Sequence, residues 1–463
     1  MSDAVEIGGH DCGSHYVGSR RAGAQEIGPE APNSCGVENS SFIRQIGDVV
    51  GLANVAPGDE RLARGLVPGD WERWPLCVAQ PGSAAEVVAL VRAAEVARVA
   101  IVPCGSGSKL VTGYPPSEDK PYIVVQMARL NRILDYQPDD LTVTCEPGVT
   151  LEALQAALAA RRQFLPLDSP LAERTTLGGI VSTNSTGFSR PVYGAPRDLL
   201  IGMKAVMTGG VEIKGGGKVV KNVAGYDVCK LFTGAWGTLG ILTEVTFKVR
   251  PLNEAELAVQ WETPDVSTAA SLGLELFRST IAPAYVLATN EPEGRSVLVA
   301  GLQGIAARVL WQQAELTEKV KDLGIHAPPI VLGEIETGYL RDVQARLHRG
   351  VRLSARIACL PTELPGLIRN LELLPDIRMT AQCGVGTLNV ASANPDPVLT
   401  LSLRSAAPAN AHLLWTRIER ALASPQKIAL WGETRQDFEL QRALKQSLDP
   451  LATFSPGRFL GGL

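Results

Sequence analysis

The sequence has 463 residues, of which 45% are hydrophobic and 20% charged, with a formal net charge of −4 and a pI near 5.9. A chain of this length exceeds one ordinary core and predicts two or three domains. The slightly acidic balance excludes the basic footprint of a nucleic-acid-binding protein, and no run of about 18 apolar residues predicts a membrane span.

The N-terminal segment and the cysteines indicate a cytoplasmic protein. Residues 1–41 are rich in small polar residues and contain no apolar segment, so we expect a mobile arm rather than a secretory signal. The eight cysteines are widely spaced and form no Cys-x-x-Cys pair. This spacing indicates reduced thiols rather than zinc or iron–sulfur ligands.

After the arm, predicted strands and helices alternate. Ser83 and Glu86 form a capping box at the start of a helix, and Thr150 caps another. The predicted helices cover residues 87–96 and 151–161, and the predicted strands cover residues 99–103, 122–126 and 141–145. This alternation favours a layered α/β arrangement.

From residue 200 the pattern changes. Gly209-Gly210 between two apolar runs predicts a hairpin, and residues 241–249 alternate as a strand does. Arg250-Pro251 breaks the run, and we place a domain boundary there. The remainder predicts an α+β domain with helices over residues 307–323 and 411–423. The predicted organisation is an arm (1–41), a first domain (42–252) and a second domain (253–463).

Three glycine clusters stand out in the first domain. Gly105-Ser106-Gly107-Ser108 follows a predicted strand, and such a loop can direct its backbone N–H groups at a diphosphate. It matches neither the P-loop spacing nor the dinucleotide fingerprint, in which Leu110 occupies the place of the third glycine. The loop alone is equally compatible with a tight turn. Residues 176–187 and 215–240 hold the other clusters, and one large extended cofactor would account for all three.

The order of these segments resembles the vanillyl-alcohol oxidase (PCMH-type) family of FAD-binding flavoproteins. The resemblance rests on residues 102–109, 146–154, 176–179 and 234–241. Within that family, residues 217–227 (Gly-Lys-Val-Val-Lys-Asn-Val-Ala-Gly-Tyr-Asp) and 444–458 are similar to the small flavin-binding subunits of bacterial glycolate oxidases. The similarity covers residues 77–252 and the last fifteen or so residues, and it is weak in the middle of the second domain.

The resemblance implies an α+β fold: a two-subdomain PCMH-type FAD-binding domain, then an α+β cap with an antiparallel sheet and a C-terminal segment returning to the flavin. It implies that the loop from Pro103 to Ser108 cradles the FAD diphosphate, with Lys109 and Lys221 as nearby cations. The ribityl chain and ring would lie along Thr176, Gly178, Gly179 and Ser182. The nucleotide end would be covered by Gly237, Gly240 and Ile241. The implied cofactor-binding residues are Pro103, Cys104, Gly105, Ser106, Gly107, Ser108, Lys109, Thr176, Gly178, Gly179, Ser182, Gly237, Gly240 and Ile241.

Two departures from the family pattern bear on the cofactor. Many members tether FAD through a histidine, but no histidine lies between His15 and His326, so we expect non-covalent FAD. Cys104 in the phosphate loop offers a thioether alternative, against which stands an ordinary buried thiol. Ser455 occupies a position where the family usually has asparagine, so a polar contact to the flavin would be altered there.

Catalytic residues are harder to assign. The larger glycolate oxidase subunits and their D-2-hydroxy-acid dehydrogenase relatives hold a metal with paired histidines and a glutamate, and the second domain has no closely spaced histidine pair, so we predict no metal site. Arg352 and Arg356 are candidate anchors for a substrate carboxylate, although either would also suit a solvated strand edge. Tyr226 is a weak candidate in the glycolate-oxidase-like motif, and Asp227 fits a helix N-cap.

Three hypotheses follow. The first is an FAD-binding subunit of a glycolate oxidase-like complex, which accepts or relays electrons beside a catalytic flavoprotein subunit and an iron–sulfur subunit. Its substrate would be a small 2-hydroxy acid such as glycolate or lactate, and it would reach the inner face of the membrane only through its partners. The second is a self-sufficient FAD-dependent D-2-hydroxy-acid dehydrogenase. The third is a flavin-fold assembly subunit without catalysis, against which the intact glycine loops count.

Overall fold

A computed structural model describes residues 36–58, 65–66, 68, 71, 73–218, 226–292, 294–332, 337–419, 422, 428–434 and 436–463. Among these residues no helix is long and apolar enough to span a bilayer. The described cysteines, at positions 77, 104, 145, 229, 359 and 383, are free thiols. The arm predicted over residues 1–41 lies mostly outside the described residues, and the first helix already begins at Gly36.

The helices are short in the first half and longer in the second. They are α1 (Gly36–Val50), α2 (Ala84–Val96), α3 (Leu151–Ala159), α4 (Leu177–Thr183), α5 (Arg190–Tyr193), α6 (Pro196–Leu199), α7 (Val228–Phe232), α8 (Val266–Arg278), α9 (Ala306–Asp322), α10 (Thr337–Arg346), α11 (Leu364–Leu371), α12 (Pro397–Ala406) and α13 (Phe438–Leu448).

The strands form four sheets. They are β1 (Val55–Pro57), β2 (Cys77–Ala79), β3 (Ala100–Cys104), β4 (Tyr122–Gln126), β5 (Ile133–Gln137), β6 (Thr142–Cys145), β7 (Gln163–Phe164), β8 (Leu200–Met207), β9 (Val211–Gly216), β10 (Ile241–Lys248), β11 (Arg250–Pro251), β12 (Ala255–Thr263), β13 (Tyr285–Asn290), β14 (Ser296–Gly304), β15 (Ile330–Leu332), β16 (Leu353–Ala358), β17 (Ile377–Gln382), β18 (Thr387–Ser392) and β19 (His412–Ile418).

The first subdomain is a four-stranded sheet of order β1-β2-β4-β3, in which β2, β4 and β3 run parallel. Every residue of β4 is buried, as expected for a parallel strand covered on both faces. Helices α1 and α2 contribute Ile46, Val87 and Leu90 to the core on one face. The predicted capping box starts α2, because the Ser83 hydroxyl accepts a hydrogen bond from the Glu86 N–H.

The second subdomain is a five-stranded antiparallel sheet of order β5-β6-β10-β8-β9. Strands β8 and β9 form the predicted hairpin, and both glycines of its turn have positive φ (Gly209, 70°; Gly210, 66°), a conformation that glycine adopts at little cost. Helices α3 and α4 pack on this sheet through Leu154, Leu158, Ile180 and Val181. The two subdomains together are called the flavin-fold half below.

The cap (residues 255–418) is built on an eight-stranded sheet of order β15-β12-β14-β13-β17-β18-β16-β19, with antiparallel pairing throughout. Its largest core lies between one sheet face and helices α8, α9, α11 and α12. The predicted α+β class, with two subdomains followed by a cap carrying an antiparallel sheet, is confirmed.

Hydrogen bonds connect the cap to the flavin-fold half. The Gln382 side-chain amide donates to the Gly187 carbonyl at 2.8 Å, and the Gln344 amide donates to the Asp168 carbonyl at 2.9 Å. The Thr112 hydroxyl donates to the Thr416 carbonyl at 2.8 Å. The face of β16 opposite the cap core therefore looks toward the flavin-fold half.

The helix predicted over residues 411–423 is wrong in its first part, which forms strand β19. Strand β19 pairs with β16. Ser354 pairs with Arg417 and the next residue, Ala355, pairs with Trp415, so Thr416 is left without a pairing residue as a bulge. This bulge places Leu413, Trp415 and Ile418 on the core, so the apolar spacing changes from two to three along the strand. An apolar spacing of three residues is also typical of a helix, which is why the sequence pattern predicted one here. The helix predicted over residues 307–323 is confirmed as α9.

The C-terminal segment leaves the cap and returns to the first subdomain. Phe454 lies parallel to Ile101 of β3, since the Ile101 N–H donates to the Thr453 carbonyl and the Ser455 N–H donates to the Ile101 carbonyl. The buried Lys445 ammonium on α13 donates to the Asp449 carboxylate (2.5 Å), the Thr238 carbonyl (2.7 Å) and the Phe454 carbonyl (2.8 Å). This pair locks α13 onto the flavin-fold half.

Removing the charge of Asp449 is expected to destabilise the fold. Asp449→Asn leaves the Lys445 ammonium buried without a counter-charge, which costs about 3 to 5 kcal/mol of unfolding free energy. The matched control on the same helix is Glu439→Gln, which breaks only an exposed pair with Arg442 and changes stability by less than about 1 kcal/mol. Urea denaturation followed by far-UV circular dichroism measures both. Equal midpoints for the two variants would contradict the assignment of Lys445 and Asp449 as the lock.

Candidate functional site

One cleft in the flavin-fold half collects all the residues that the sequence assigned to a cofactor. Its volume is about 800 Å³ with the adjoining open solvent included, which is within the size range of cofactor sites. The predicted residues in its wall are Pro103, Cys104, Gly105, Ser106, Gly107, Ser108, Lys109, Thr176, Gly178, Gly179, Ser182, Gly237, Gly240 and Ile241. Segments far apart in the chain thus share one concave surface.

The loop after β3 presents unused hydrogen-bond donors to this cleft. Among the described residues, the N–H groups of Gly105, Ser106, Ser108 and Lys109 have no protein acceptor. Gly107 has φ +80°, the left-handed conformation that occurs in anion-binding turns. Four amides without a protein acceptor on one short loop suit the oxygens of a diphosphate.

Glycines 105 and 178 allow neighbouring backbones to approach closely. A Cβ on Gly105 would lie 2.1 Å from the Thr176 hydroxyl oxygen, and a Cβ on Gly178 would lie 2.6 Å from Cβ of Pro147. Thr176 itself caps α4 by accepting a hydrogen bond from the Gly179 N–H at 3.2 Å. The phosphate-loop candidate and the start of α4 are therefore in direct contact, and both edge the cleft.

The third glycine cluster closes the cleft from the other side. Trp236 has φ +53°, an uncommon conformation for a tryptophan, and its N–H donates to the Ser182 carbonyl at 2.8 Å. Gly237, at φ +69°, lies against the Pro103 ring. A Cβ on Gly240 would lie 2.6 Å from the Val206 carbonyl oxygen. The loop is thus pressed against β3 and β8, with Trp236 exposed to the cleft.

Arg458 is a cleft residue that sequence reasoning missed. Its guanidinium donates to the carbonyls of Leu110 (2.9 Å), Thr112 (3.1 Å) and Tyr114 (3.1 Å), and it stacks on the Trp71 ring at 4.8 Å. Burial lowers its pKa to about 10, although it stays protonated at neutral pH. The sequence signal that could have indicated Arg458 is its position at the end of the C-terminal motif, in Ser-Pro-Gly-Arg.

Cys104 and Ser455, which bear on the two departures from the family pattern, both lie near the loop. Burial raises the pKa of the Cys104 thiol to about 12, with a smaller opposing effect of Arg458, so the thiol is protonated and a weak nucleophile. Ser455 is buried, with φ 45° and a hydroxyl oxygen that has no partner among the described residues. Its backbone, rather than its side chain, makes the contact with β3.

A pair of cations stands where the cap meets the cleft. Burial, followed by the positive charge of Arg356, lowers the pKa of Lys109 to about 8. Burial, followed by Arg190, lowers the pKa of Arg356. Leu353, Ala355 and Ile357 of β16 face the cap core, so Arg356 faces the flavin-fold half. Among the described residues neither Lys109 nor Arg356 has a carboxylate partner.

His348 is a second residue near the site that sequence reasoning missed. It lies close enough to Lys109 and Arg417 that both lower its pKa, after burial as the main cause, to about 4. The imidazole is therefore neutral at pH 7. No sequence spacing connects residue 348 with residue 109, so only the tertiary fold shows this proximity.

The other catalytic candidates lie away from the cleft. Arg352 is exposed and forms a bidentate pair with Glu419 (2.6 and 2.5 Å) on the surface. Tyr226 is 93% exposed, and Asp227 caps α7 by accepting from the Lys230 N–H. Lys221 lies outside the described residues. Within the described part of the chain, no three His, Cys, Asp or Glu side chains converge as metal ligands.

Comparison with curated proteins identifies relatives of this chain. Glycolate oxidase subunit GlcD of Bacillus subtilis (strain 168) is 33% identical over 48% of this chain and 47% of its own length. Glycolate oxidase subunit GlcE of Escherichia coli (strain K12) is 36% identical over 34% of this chain and 44% of its own. The chain thus matches less than half the length of these two relatives. D-2-hydroxyglutarate dehydrogenase of Xanthomonas citri pv. viticola is 27% identical over 84% and 91% of the two chains.

A solved structure and a family model extend the comparison. The structure of an alkyldihydroxyacetonephosphate synthase superposes with a TM-score of 0.69 at 18% identity, covering 90% of this chain and 84% of that one, which shows a common fold. The FAD binding domain family matches residues 75–216, which include β3, the loop that follows it and α4. These findings support the PCMH-type FAD-binding family, and the cofactor of this chain is FAD.

Proposed function

We propose that this chain binds FAD non-covalently in the cleft and accepts the electrons of a small 2-hydroxy acid, such as glycolate or lactate, at its own flavin, as the FAD-binding subunit of a glycolate oxidase-like complex. One observation carries the proposal. Lys109 lines the cleft, Arg356 lies close enough to Lys109 to lower its pKa, and neither cation has a carboxylate partner among the described residues. An anionic substrate would supply the missing charge.

The cofactor would be held mainly by backbone groups. The free amides of the loop over residues 105–109 would bind the diphosphate, with Arg458 as the adjacent positive charge. The segment from Thr176 to Ser182 would follow the ribityl chain and the ring, and Gly237, Gly240 and Ile241 would cover the nucleotide end. When bound, FAD supplies the acceptor for two electrons that no side chain offers.

Arg356 and Lys109 would orient the substrate. A guanidinium binds a carboxylate through two parallel hydrogen bonds, which fixes the plane of the acid as well as its position. Both cations are withdrawn from water, so their attraction for an anion is stronger than that of exposed side chains. Holding the carboxylate in this way would also fix the C2–H bond relative to the flavin.

Oxidation of a 2-hydroxy acid also releases the hydroxyl proton, which needs an acceptor. His348 is the described residue best suited to this role, since it is neutral at pH 7 and lies beside Lys109. Its low pKa makes it a weak base in the free protein. A bound carboxylate would neutralise Lys109 and raise that pKa, so substrate binding would itself strengthen the base.

Two lines support a subunit role in a complex. Relatives that carry the name of glycolate oxidase subunits match 48% and 34% of this chain, and the described residues hold no cluster of three metal ligands. The partners would be a catalytic flavoprotein subunit and an iron–sulfur subunit, with membrane contact only through them. The second candidate is a self-sufficient D-2-hydroxy-acid dehydrogenase, which the cation pair and the long alignment with the Xanthomonas enzyme favour. The free loop amides count against a non-catalytic assembly subunit.

Gly105→Ala tests the cofactor cleft. The added Cβ meets the Thr176 hydroxyl at 2.1 Å, so the loop and the start of α4 must separate and FAD affinity should fall at least about tenfold, or 1.4 kcal/mol. Gly366→Ala is the matched control, because a Cβ at Gly366 meets nothing within 4 Å. Visible absorbance of bound flavin after titration with FAD measures the affinity. Equal affinity in both variants would place FAD elsewhere.

Arg356→Gln tests the substrate anchor. Loss of the partly buried guanidinium should lower kcat/KM for the 2-hydroxy acid about 30-fold or more, the equivalent of about 2 kcal/mol. Arg352→Gln, one residue before the strand that carries Arg356, removes only the exposed pair with Glu419 and should leave kcat/KM unchanged. Anaerobic bleaching of the bound flavin by glycolate or D-lactate is the readout. Bleaching by the isolated wild-type chain supports direct electron acceptance, whereas bleaching only beside a flavoprotein partner would make this chain a relay.

The pH dependence of substrate capture tests Lys109. Its pKa of about 8 means that the ammonium charge is present below pH 8 and is lost above it, so kcat/KM should fall as pH rises through 8. Lys109→Arg should remove this alkaline fall, since arginine stays charged, and Lys109→Met should lower kcat/KM throughout. An alkaline fall that persists in Lys109→Arg would assign the titration to another group.

A further inference from the structure

Helix α9 (Ala306–Asp322) carries apolar residues on two opposite faces. The residues that face the cap core are Val309, Leu316 and Val320. The outward-facing apolar residues, called the α9 stripe below, are all exposed and are Ala307, Leu310, Trp311 and Ala314. Leu310 is 66% exposed and Trp311 is 50% exposed. A surface helix ordinarily keeps its large apolar residues on the face toward the core, so the stripe indicates a contact with another molecule.

The orientation of α9 is fixed, so the stripe cannot turn into the core. At about 3.6 residues per turn, the middle of the stripe lies about half a turn around the helix from Val309 and Leu316. The buried Gln312 side-chain amide donates to the carbonyls of Ile281 (2.6 Å) and Ala282 (3.1 Å). A rotation of the helix would break both hydrogen bonds and leave a buried amide unsatisfied.

The α9 stripe is symmetric about its midpoint between Leu310 and Trp311. Ala307 precedes Leu310 by three positions, and Ala314 follows Trp311 by three positions. If a second copy of α9 packed antiparallel about a two-fold axis at this midpoint, Leu310 would oppose Trp311 of the second copy. Ala307 would oppose Ala314 of the second copy. The large side chains would therefore meet at the centre of the contact, and the alanines would let the helices approach closely on either side, at the spacing by which paired helices interlock.

The charges beside the stripe have the same symmetry. Arg308 and Glu315 are exposed and occupy equivalent positions of successive heptads, so they lie on one flank of the stripe. They are about 10 Å apart along the helix axis, too far to pair with each other. Neither has an ion-pair partner among the described residues. In the antiparallel arrangement this flank meets the same flank of the second copy, which brings Arg308 within about 3 Å, along the axis, of Glu315 of the second copy, and the pairing occurs twice.

We propose that the α9 stripe is the contact of a homodimer, in which two copies of this chain pack their α9 helices antiparallel across a two-fold axis. A second copy is the partner that the residues favour, because one face supplies an apolar surface, its complement and both signs of charge in matching register. Closed two-fold dimers are also the commonest oligomers of soluble proteins. Apart from Arg308 and Glu315, residues 305–315 contain no charged side chain, which agrees with the low charge content of interface centres.

The dimer leaves both cofactor clefts open. Helix α9 packs on the face of the cap sheet that carries the main core, whereas Phe188 of the flavin-fold half packs against the opposite face. The contact is thus separate from the proposed oxidation site. A pair of helix faces is smaller than a standard protein interface, so we expect a dissociation constant in the micromolar range.

Charge reversal with mixing tests the register. Arg308→Glu alone sets two negative charges against each other and Glu315→Arg alone sets two positive ones, so each variant should dimerise at least about tenfold more weakly than the wild type. In the mixed dimer of the two variants every opposed pair again has opposite signs. The dissociation constant of an equimolar mixture should therefore return to within about threefold of the wild-type value. Sedimentation velocity of FAD-loaded full-length protein over a micromolar concentration series measures the association, and recovery in the mixture excludes a folding defect in either variant.

Trp311→Ala tests the apolar centre of the contact. Loss of this aromatic side chain should weaken the dimer about 30-fold or more, because a few central residues carry most of the binding energy of an interface. Leu401→Ala is the matched control, since Leu401 is 53% exposed on α12 and is not part of the stripe. This control should dimerise as the wild type does.

A wild-type chain that stays monomeric throughout the concentration series would overturn the proposal. A dimer that survives Trp311→Ala would overturn it as well, as would a mixture of the two charge variants that associates no better than either variant alone, because the interface would then lie elsewhere. None of these outcomes bears on the proposed oxidation, which is measured by bleaching of the bound flavin.

Discussion

The buried ammonium of Lys445 is the contact on which the arrangement of the site depends. It joins three parts of the chain that are distant in sequence: α13, the loop containing Thr238, and the segment containing Phe454. Because Asp449 neutralises it and also accepts the N–H groups of Thr453 and Phe454, the C-terminal segment is held against β3. That segment delivers Arg458 to the wall of the cofactor cleft.

A second constraint is a pair of cations that, unlike Lys445, lacks a counter-charge in the described part of the protein. At Lys445 a buried cation is fully paired inside the protein, whereas Lys109 and Arg356 are withdrawn from water without a carboxylate partner in the described chain. Such a pair weakens the fold until an anion arrives, so its presence is better explained by ligand binding than by stability.

The cofactor cleft could be located from sequence because its residues are glycines and small polar residues in three dense clusters. Close backbone approach, as between Gly105 and Thr176, demands glycine and leaves a local signal. The cation pair left no such signal. Lys109, His348 and Arg356 meet only through the docking of the cap, and Arg458 reaches the cleft only through the C-terminal return. The helix predicted from residue 411 is wrong for a related reason. The bulge at Thr416 changes the apolar spacing of β19, and this bulge arises only from the pairing of β19 with β16 in the tertiary fold.

A crystal structure of the FAD-loaded chain with oxalate, a small dianion that cannot be oxidised at C2, tests the central claim most directly. We expect the diphosphate on the amides of residues 105–109 and oxalate between Lys109 and Arg356, beside the flavin ring. FAD bound in the cleft with oxalate at another surface would contradict the assignment of the cations to substrate. FAD bound outside the cleft would contradict the account as a whole.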